Sequence, residues 1–75
     1  MTAIEQLTQI VAETGYVDDM SKFDPLASFA DNGIDSLDVM TVLLKIEEGM
    51  DVKFTDDEYN NFVSLNDVME CLNNR

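Results

Sequence analysis

Hydrophobic residues recur along the chain at helical spacing, each run behind its own helix-start signal. Ala3, Ile4, Leu7, Ile10 and Val11 follow Thr2-Ala3-Ile4-Glu5, and Gly15 then offers a stop. Leu65, Val68, Met69 and Leu72 form an i, i+3, i+4, i+7 stripe behind Ser64-Leu65-Asn66-Asp67. Thr2 with Glu5, and Thr55 with Glu58, have the form of a capping box, in which a hydroxyl and a Glu three residues on satisfy each other's orphan amides. Asp35 with Asp38, and Ser64 with Asp67, are looser versions that place Asp third. The helix after Thr55 is short, with Tyr59 and Phe62 as its anchors. No stretch alternates with period two, and Asn32-Gly33 leads into a helix rather than a second strand.

The pattern predicts an all-α fold: a small four-helix bundle of three main helices and a short third one, forming one domain over residues 1–75. A long loop, roughly 15–34, joins the first two helices. Asp24-Pro25 within it reads as a turn or a short-helix start. The loop also holds Tyr16, Val17, Met20, Phe23, Leu26 and Phe29, which should pack it down against the bundle.

The second helix carries the most information. It should run from about Ser36 to Glu48, with Gly49 as its stop. At roughly 100° per residue, Val39, Val42, Leu43 and Ile46 fall on one side, and Leu37, Met40 and Leu44 fall nearly opposite. The first stripe is larger and more β-branched, so it is assigned to the core. The second then becomes an exposed apolar strip with Asp38 nearby and Glu47 and Glu48 at its edges, a form suited to transient docking; the alternative is that both stripes are buried, one under the long loop and one under the first and fourth helices. With Asp35 as the cap, Ser36 is the first helical residue. Unpaired amides and the positive end of the helix dipole converge there and favour an attached phosphate, although on the tripeptide alone an ordinary polar residue of a first turn is the better reading.

Composition narrows the chemistry. Four Lys+Arg against sixteen Asp+Glu give a net charge of −12, which argues against direct nucleic-acid binding. With no His, the chain has no Ser-His or Cys-His nucleophilic pair and no His-containing metal site, and Ser36 has no internal base. An apolar content of 45% is too high for a disordered acidic chain. Cys71 is the only cysteine, so a reducing cytoplasm is expected, and with only Arg75 as a nearby cation it reads as an inert helix thiol. The N-terminus has neither the basic nor the apolar region of a signal peptide. The longest apolar run, 39–44, falls far short of the roughly 20 residues a membrane span needs, so no membrane insertion is expected.

Asp31-Asn32-Gly33-Ile34-Asp35-Ser36-Leu37-Asp38, followed by Glu47-Glu48, resembles the acyl carrier protein family. The resemblance extends over nearly the whole chain, through its length, helix order, short third helix and acidity. It implies a non-enzymatic carrier with Ser36 as the attachment point of a 4′-phosphopantetheine arm, added by a phosphopantetheinyl transferase. The arm would hold acyl groups as thioesters in a fatty-acid, polyketide or related pathway. Asp35, Leu37, Asp38, Met40, Leu44, Glu47 and Glu48 would then form the docking surface for basic patches on acyl-loading, condensing or acyl-transfer enzymes. The carrier would act as a monomer and without a metal. Val39, Leu43, Ile46, Phe54, Phe62 and Met69 are candidate lining for an acyl chain, or simple core. Thr41, Lys45, Gly49-Met50 and Thr55 depart from the family pattern and point to a specialised member.

Four other readings compete. An enzyme would need its abundant carboxylates paired in a concave, partly desolvated pocket, which a 75-residue bundle rarely provides. An aminoacyl or peptidyl carrier is the nearest. An unmodified acidic interaction protein would explain the charge but not the placement of Asp35-Ser36-Leu37. A calcium loop over 31–42 lacks both the glycine at its sixth position and the Glu at its twelfth, which is Val42.

Overall fold

The computed structural model describes residues 2–74; Arg75, the cation near Cys71 in sequence, lies outside them. Four α-helices follow in order: α1 (Ala3–Thr14), α2 (Ser36–Met50), α3 (Asp56–Asn61) and α4 (Leu65–Asn73), with no strand among the described residues. The architecture is the expected all-α bundle with a short third helix.

Each helix begins where the sequence places a cap. Thr2 Oγ1 accepts from the Glu5 N–H and donates to the Glu5 carboxylate. Thr55 with Glu58, and Ser64 with Asp67, form complete reciprocal capping boxes, so Asp serves as well as Glu in the third place. Gly15 ends α1 in the left-handed conformation, at φ 77°.

The end of α2 differs from expectation. The helix runs past Gly49 to Met50, and Asp51 takes the left-handed cap at φ 54° while its N–H bonds to the Glu47 carbonyl. Gly49 serves packing instead. A Cβ at that position would stand 2.8 Å from Ile10 Cδ1, so the terminal methyl of Ile10 on α1 packs over the space a side chain would take.

Leu7 and Val11 of α1, Val42, Leu43 and Ile46 of α2, and Leu65 and Val68 of α4 are buried together with Phe29, Ile34 and Phe54. α1 packs against both α2 and α4. Burying seven aliphatic side chains from three helices supplies the main favourable term, at about 1.5–3 kcal/mol each before the entropy of ordering.

The long loop is ordered by its own polar groups as well as by burial. Asp19 caps a 3-10 turn at Met20–Lys22, which the hydrophobic pattern does not announce. Asp24 and Pro25 form a turn, as expected, in which Asp24 Oδ1 accepts from the Leu26 N–H at 2.9 Å. The Asn32 side chain closes the loop: its Oδ1 accepts from the Asp24 N–H, and its Nδ2 donates to the Asp24 and Ser28 carbonyls. Phe29 is buried and donates its N–H to the Val63 carbonyl at 2.8 Å. Leu26 does not pack down. The turn that holds its backbone leaves its side chain in solvent.

Asp51 carries a side chain in a conformation that costs an L-residue roughly 1–2 kcal/mol, less for Asp than for most residues. Asp51→Gly is therefore expected to stabilise the fold by roughly 0.5–1 kcal/mol, raising Tm by a few degrees. Thermal unfolding followed by circular dichroism checks this; an unchanged or lower Tm would contradict the role given to Asp51.

Candidate functional site

The start of α2 is built to leave one hydroxyl free. Gly33 turns the chain at φ 84°, Ile34 is buried with its N–H on the Phe29 carbonyl, and Asp35 follows in extended conformation. Asp35 Oδ1 accepts from the Asp38 N–H at 3.0 Å, and the Asp35 carbonyl accepts from the Val39 N–H at 2.9 Å. The caps therefore satisfy the third and fourth amides of the helix. The N–H groups of Ser36 and Leu37, the first two, have no acceptor among the described residues.

The chain has four serines, and their surroundings differ. Ser21 donates its hydroxyl to Asp19, Ser28 accepts from the Asp31 N–H, and Ser64 is buried as the cap of α4. Ser36 is exposed, and its hydroxyl is bonded to nothing among the described residues. An exposed hydroxyl beside two unpaired amides at the positive end of a 15-residue helix fits a phosphodiester attached there. It does not fit a nucleophile that this chain could activate alone, because no histidine is available as base.

Along α2 the two stripes separate as the spacing predicts. Val42, Leu43 and Ile46 are buried and Val39 is half-buried against them. Leu37, Met40 and Leu44 are 80, 48 and 51% exposed. Asp35 and Glu48 are exposed beside this strip, and Asp38 is half-buried.

Glu47 has a different environment from Glu48. Its Oε1 accepts from the Tyr59 hydroxyl and its Oε2 accepts from the Phe54 N–H at 2.8 Å. The Tyr59 hydroxyl, with the Phe54 amide, holds the Glu47 carboxyl below the usual glutamate range. Burial, reinforced by the hydrogen bond to Glu47 and its charge, pushes the Tyr59 phenol up to about 12. One carboxylate thus ties the end of α2 to the segment before α3 and to α3 itself. Sequence spacing carries no sign of this, since the partners lie seven and twelve positions from Glu47 and follow no periodic pattern.

Among the candidate acyl-lining residues, Leu43, Ile46 and Phe54 are buried, and Val39, Phe62 and Met69 are partly buried against the core. Phe54 meets Tyr59 and Phe62 edge-on at centroid distances of 5.9 and 4.9 Å. Cys71 is half-buried and its Sγ donates to Glu58 Oε2. None of the described helices is long and apolar enough to cross a membrane.

Comparison with known proteins bears on this geometry. The family described as Phosphopantetheine attachment site matches residues 5–72. The chain is 34% identical over 73 residues to an acyl carrier protein of Thermosynechococcus vestitus, covering 96% of this chain and 89% of that one. It is 30% identical to an acyl carrier protein of Helicobacter pylori, over 96% of this chain and 92% of the other. A third such protein, from Desulforapulum autotrophicum, is 29% identical over 96% of this chain and 95% of its own.

Tyr59→Phe removes one hydrogen bond to a partly exposed carboxylate, and is expected to cost about 1 kcal/mol at neutral pH. Because the bond lowers the folded pKa of Glu47, its contribution is present above the ordinary glutamate value of 4.5 and is lost as pH falls through the folded value. Urea unfolding of both proteins across that range checks the sign: the difference should shrink on acidification. A difference that grows, or none at neutral pH, would contradict the tie.

Proposed function

The chain belongs to the family of phosphopantetheine attachment-site domains, and we propose that it carries the 4′-phosphopantetheine arm on Ser36 and presents acyl groups to the enzymes of a fatty-acid, polyketide or related pathway. As a member of this family it is a carrier rather than a catalyst. The observation that carries the assignment to Ser36 is its exposed hydroxyl at the first position of α2, beside two amides without acceptors among the described residues.

When bound, the arm supplies a terminal thiol that holds cargo as a thioester. The protein's own residues do the rest. During attachment the Ser36 oxygen forms the bond to phosphorus, the diphosphate bond of coenzyme A breaks, and the nucleotide portion leaves. The hydroxyl proton would pass to a base on the transferase, since this chain has no histidine and the neighbouring Asp35 carboxylate is engaged in capping the helix. The Ser36 and Leu37 N–H groups, which have no acceptor among the described residues, would be available to an attached phosphodiester, and the helix dipole would favour its negative charge. Asp35, by capping the helix, keeps the hydroxyl at the corner and out of the helix body.

The docking surface we assign is the outward strip of α2, Leu37, Met40 and Leu44, with Asp35, Asp38 and Glu48 around it. Glu47 adds charge to this rim, but its oxygens are engaged by Tyr59 and Phe54, so its first role is to hold α3. An apolar strip rimmed by acids suits an apolar surface edged by Lys and Arg on the partner. The charge hastens encounter, and the small apolar area keeps release fast. The acyl carrier character of the relatives supports acyl rather than aminoacyl cargo.

Incubation with a phosphopantetheinyl transferase and coenzyme A should add the mass of one arm to the wild type and nothing to Ser36→Ala. No gain in the wild type, or an equal gain in the variant, would overturn the assignment. Charge reversal at the rim gives a second test. Glu48→Lys should lower the affinity for a partner several-fold at low ionic strength and by a smaller factor at high, where exposed charges are screened. Titration at two salt concentrations measures this; equal loss at both would argue against an electrostatic rim.

A further inference from the structure

Two large apolar side chains outside α2 are left in solvent: Leu26 is 73% and Val63 is 60% exposed. They lie on two segments that run side by side. The Val63 carbonyl accepts from the Phe29 N–H, the Pro25 carbonyl accepts from the Asn66 N–H at 3.0 Å, and Ser28 and Ser64 form an isolated antiparallel bridge between them. We propose that Leu26 and Val63 form a second apolar foothold, separate from the α2 strip, for the phosphopantetheinyl transferase that loads Ser36. The inference rests on the reading of Ser36 above.

Position is the first support. The Val63 carbonyl holds Phe29, the Phe29 carbonyl holds the Ile34 N–H at 2.9 Å, and Ile34 stands two residues before Ser36. Leu26 is tethered to the same region, because Asp24 beside it is clasped on both backbone groups by Asn32. The backbone segments that carry both side chains are therefore tied to the stretch that leads into Ser36. The α2 strip leads away from Ser36, with Leu44 about 10 Å along the axis from Leu37.

Rigidity is the second. The Leu26 N–H is bound by Asp24 Oδ1 and the Val63 N–H by Asp67 Oδ2, so neither backbone must be ordered on binding. A preorganised apolar contact loses little entropy when it is covered.

Charge selects the occupant. A second copy of this chain would bring another −12 against the first, with exposed Asp24 and Asp31 near the patch, and like charges so placed repel. An enzyme with an apolar spot edged by Lys or Arg meets the opposite situation.

The test compares apo wild type with Leu26→Ser/Val63→Ser as substrates of the transferase and coenzyme A, after circular dichroism has shown both to be folded. Leu26→Ala/Val63→Thr replaces the polar pair if the latter unfolds. The expected result is a fall of about tenfold in kcat/KM, carried by KM and of equal size at low and high salt. Unchanged kcat/KM, or a loss confined to kcat, would overturn the foothold. So would a wild-type dimer in sedimentation that the double substitution dissociates. Failure of the wild type to load would instead overturn the assignment of Ser36, so the two failures are distinguishable.

Discussion

Ile34 is enclosed by the core and gives its N–H to the Phe29 carbonyl, and this anchor decides where α2 begins. Phe29 is itself buried and held by the Val63 carbonyl, so the helix start is referred to the bundle through two backbone hydrogen bonds. One residue beyond Ile34 the chain must leave the core, and Asp35 turns it into the helix by capping. Ser36 is then set outward by geometry rather than by any contact of its own. A carrier needs this combination. An attachment point of the kind proposed for Ser36 has to be accessible to its enzymes, and a backbone already ordered beneath it loses little entropy on binding.

Much of this is legible in the sequence because it is local. Caps and stops are short-range chemistry, and Thr2, Asp35, Thr55 and Ser64 all stand where the pattern places them. The opposed faces of α2 follow from angular spacing alone, which suffices to set Leu37, Met40 and Leu44 outward. What escapes the pattern is non-local. Gly49 reads as a stop until Ile10 of a neighbouring helix is seen against it. Glu47 reads as a rim charge until Tyr59 and Phe54 fold back onto it. Leu26 reads as a residue that anchors the loop, but the Asp24 turn fixes its backbone without burying its side chain.

The strong acidity also acquires a distribution. Several carboxylates act as hydrogen-bond acceptors that shape the chain: Asp19, Asp24, Asp35, Glu58 and Asp67 cap helices or close turns, and Glu47 bridges α2 to α3. Their negative charge suits this, because an ionised acceptor bonds backbone amides more strongly than a neutral one and favours helix N-termini. Asp35 and Glu48 remain exposed beside the apolar strip, as the proposed docking surface requires. A net charge of −12 on 75 residues therefore serves the local folding of a short chain, and under the proposed function it would also attract basic partners.

The most direct test of the Ser36 corner is to purify the protein from the cells that make it, digest it, and locate the arm by fragment mass spectrometry. The arm should be found on the peptide containing Asp35-Ser36-Leu37, with the fragment series placing it on Ser36. Its recovery on Ser21, Ser28 or Ser64, or on no serine at all, would contradict the role given to the start of α2.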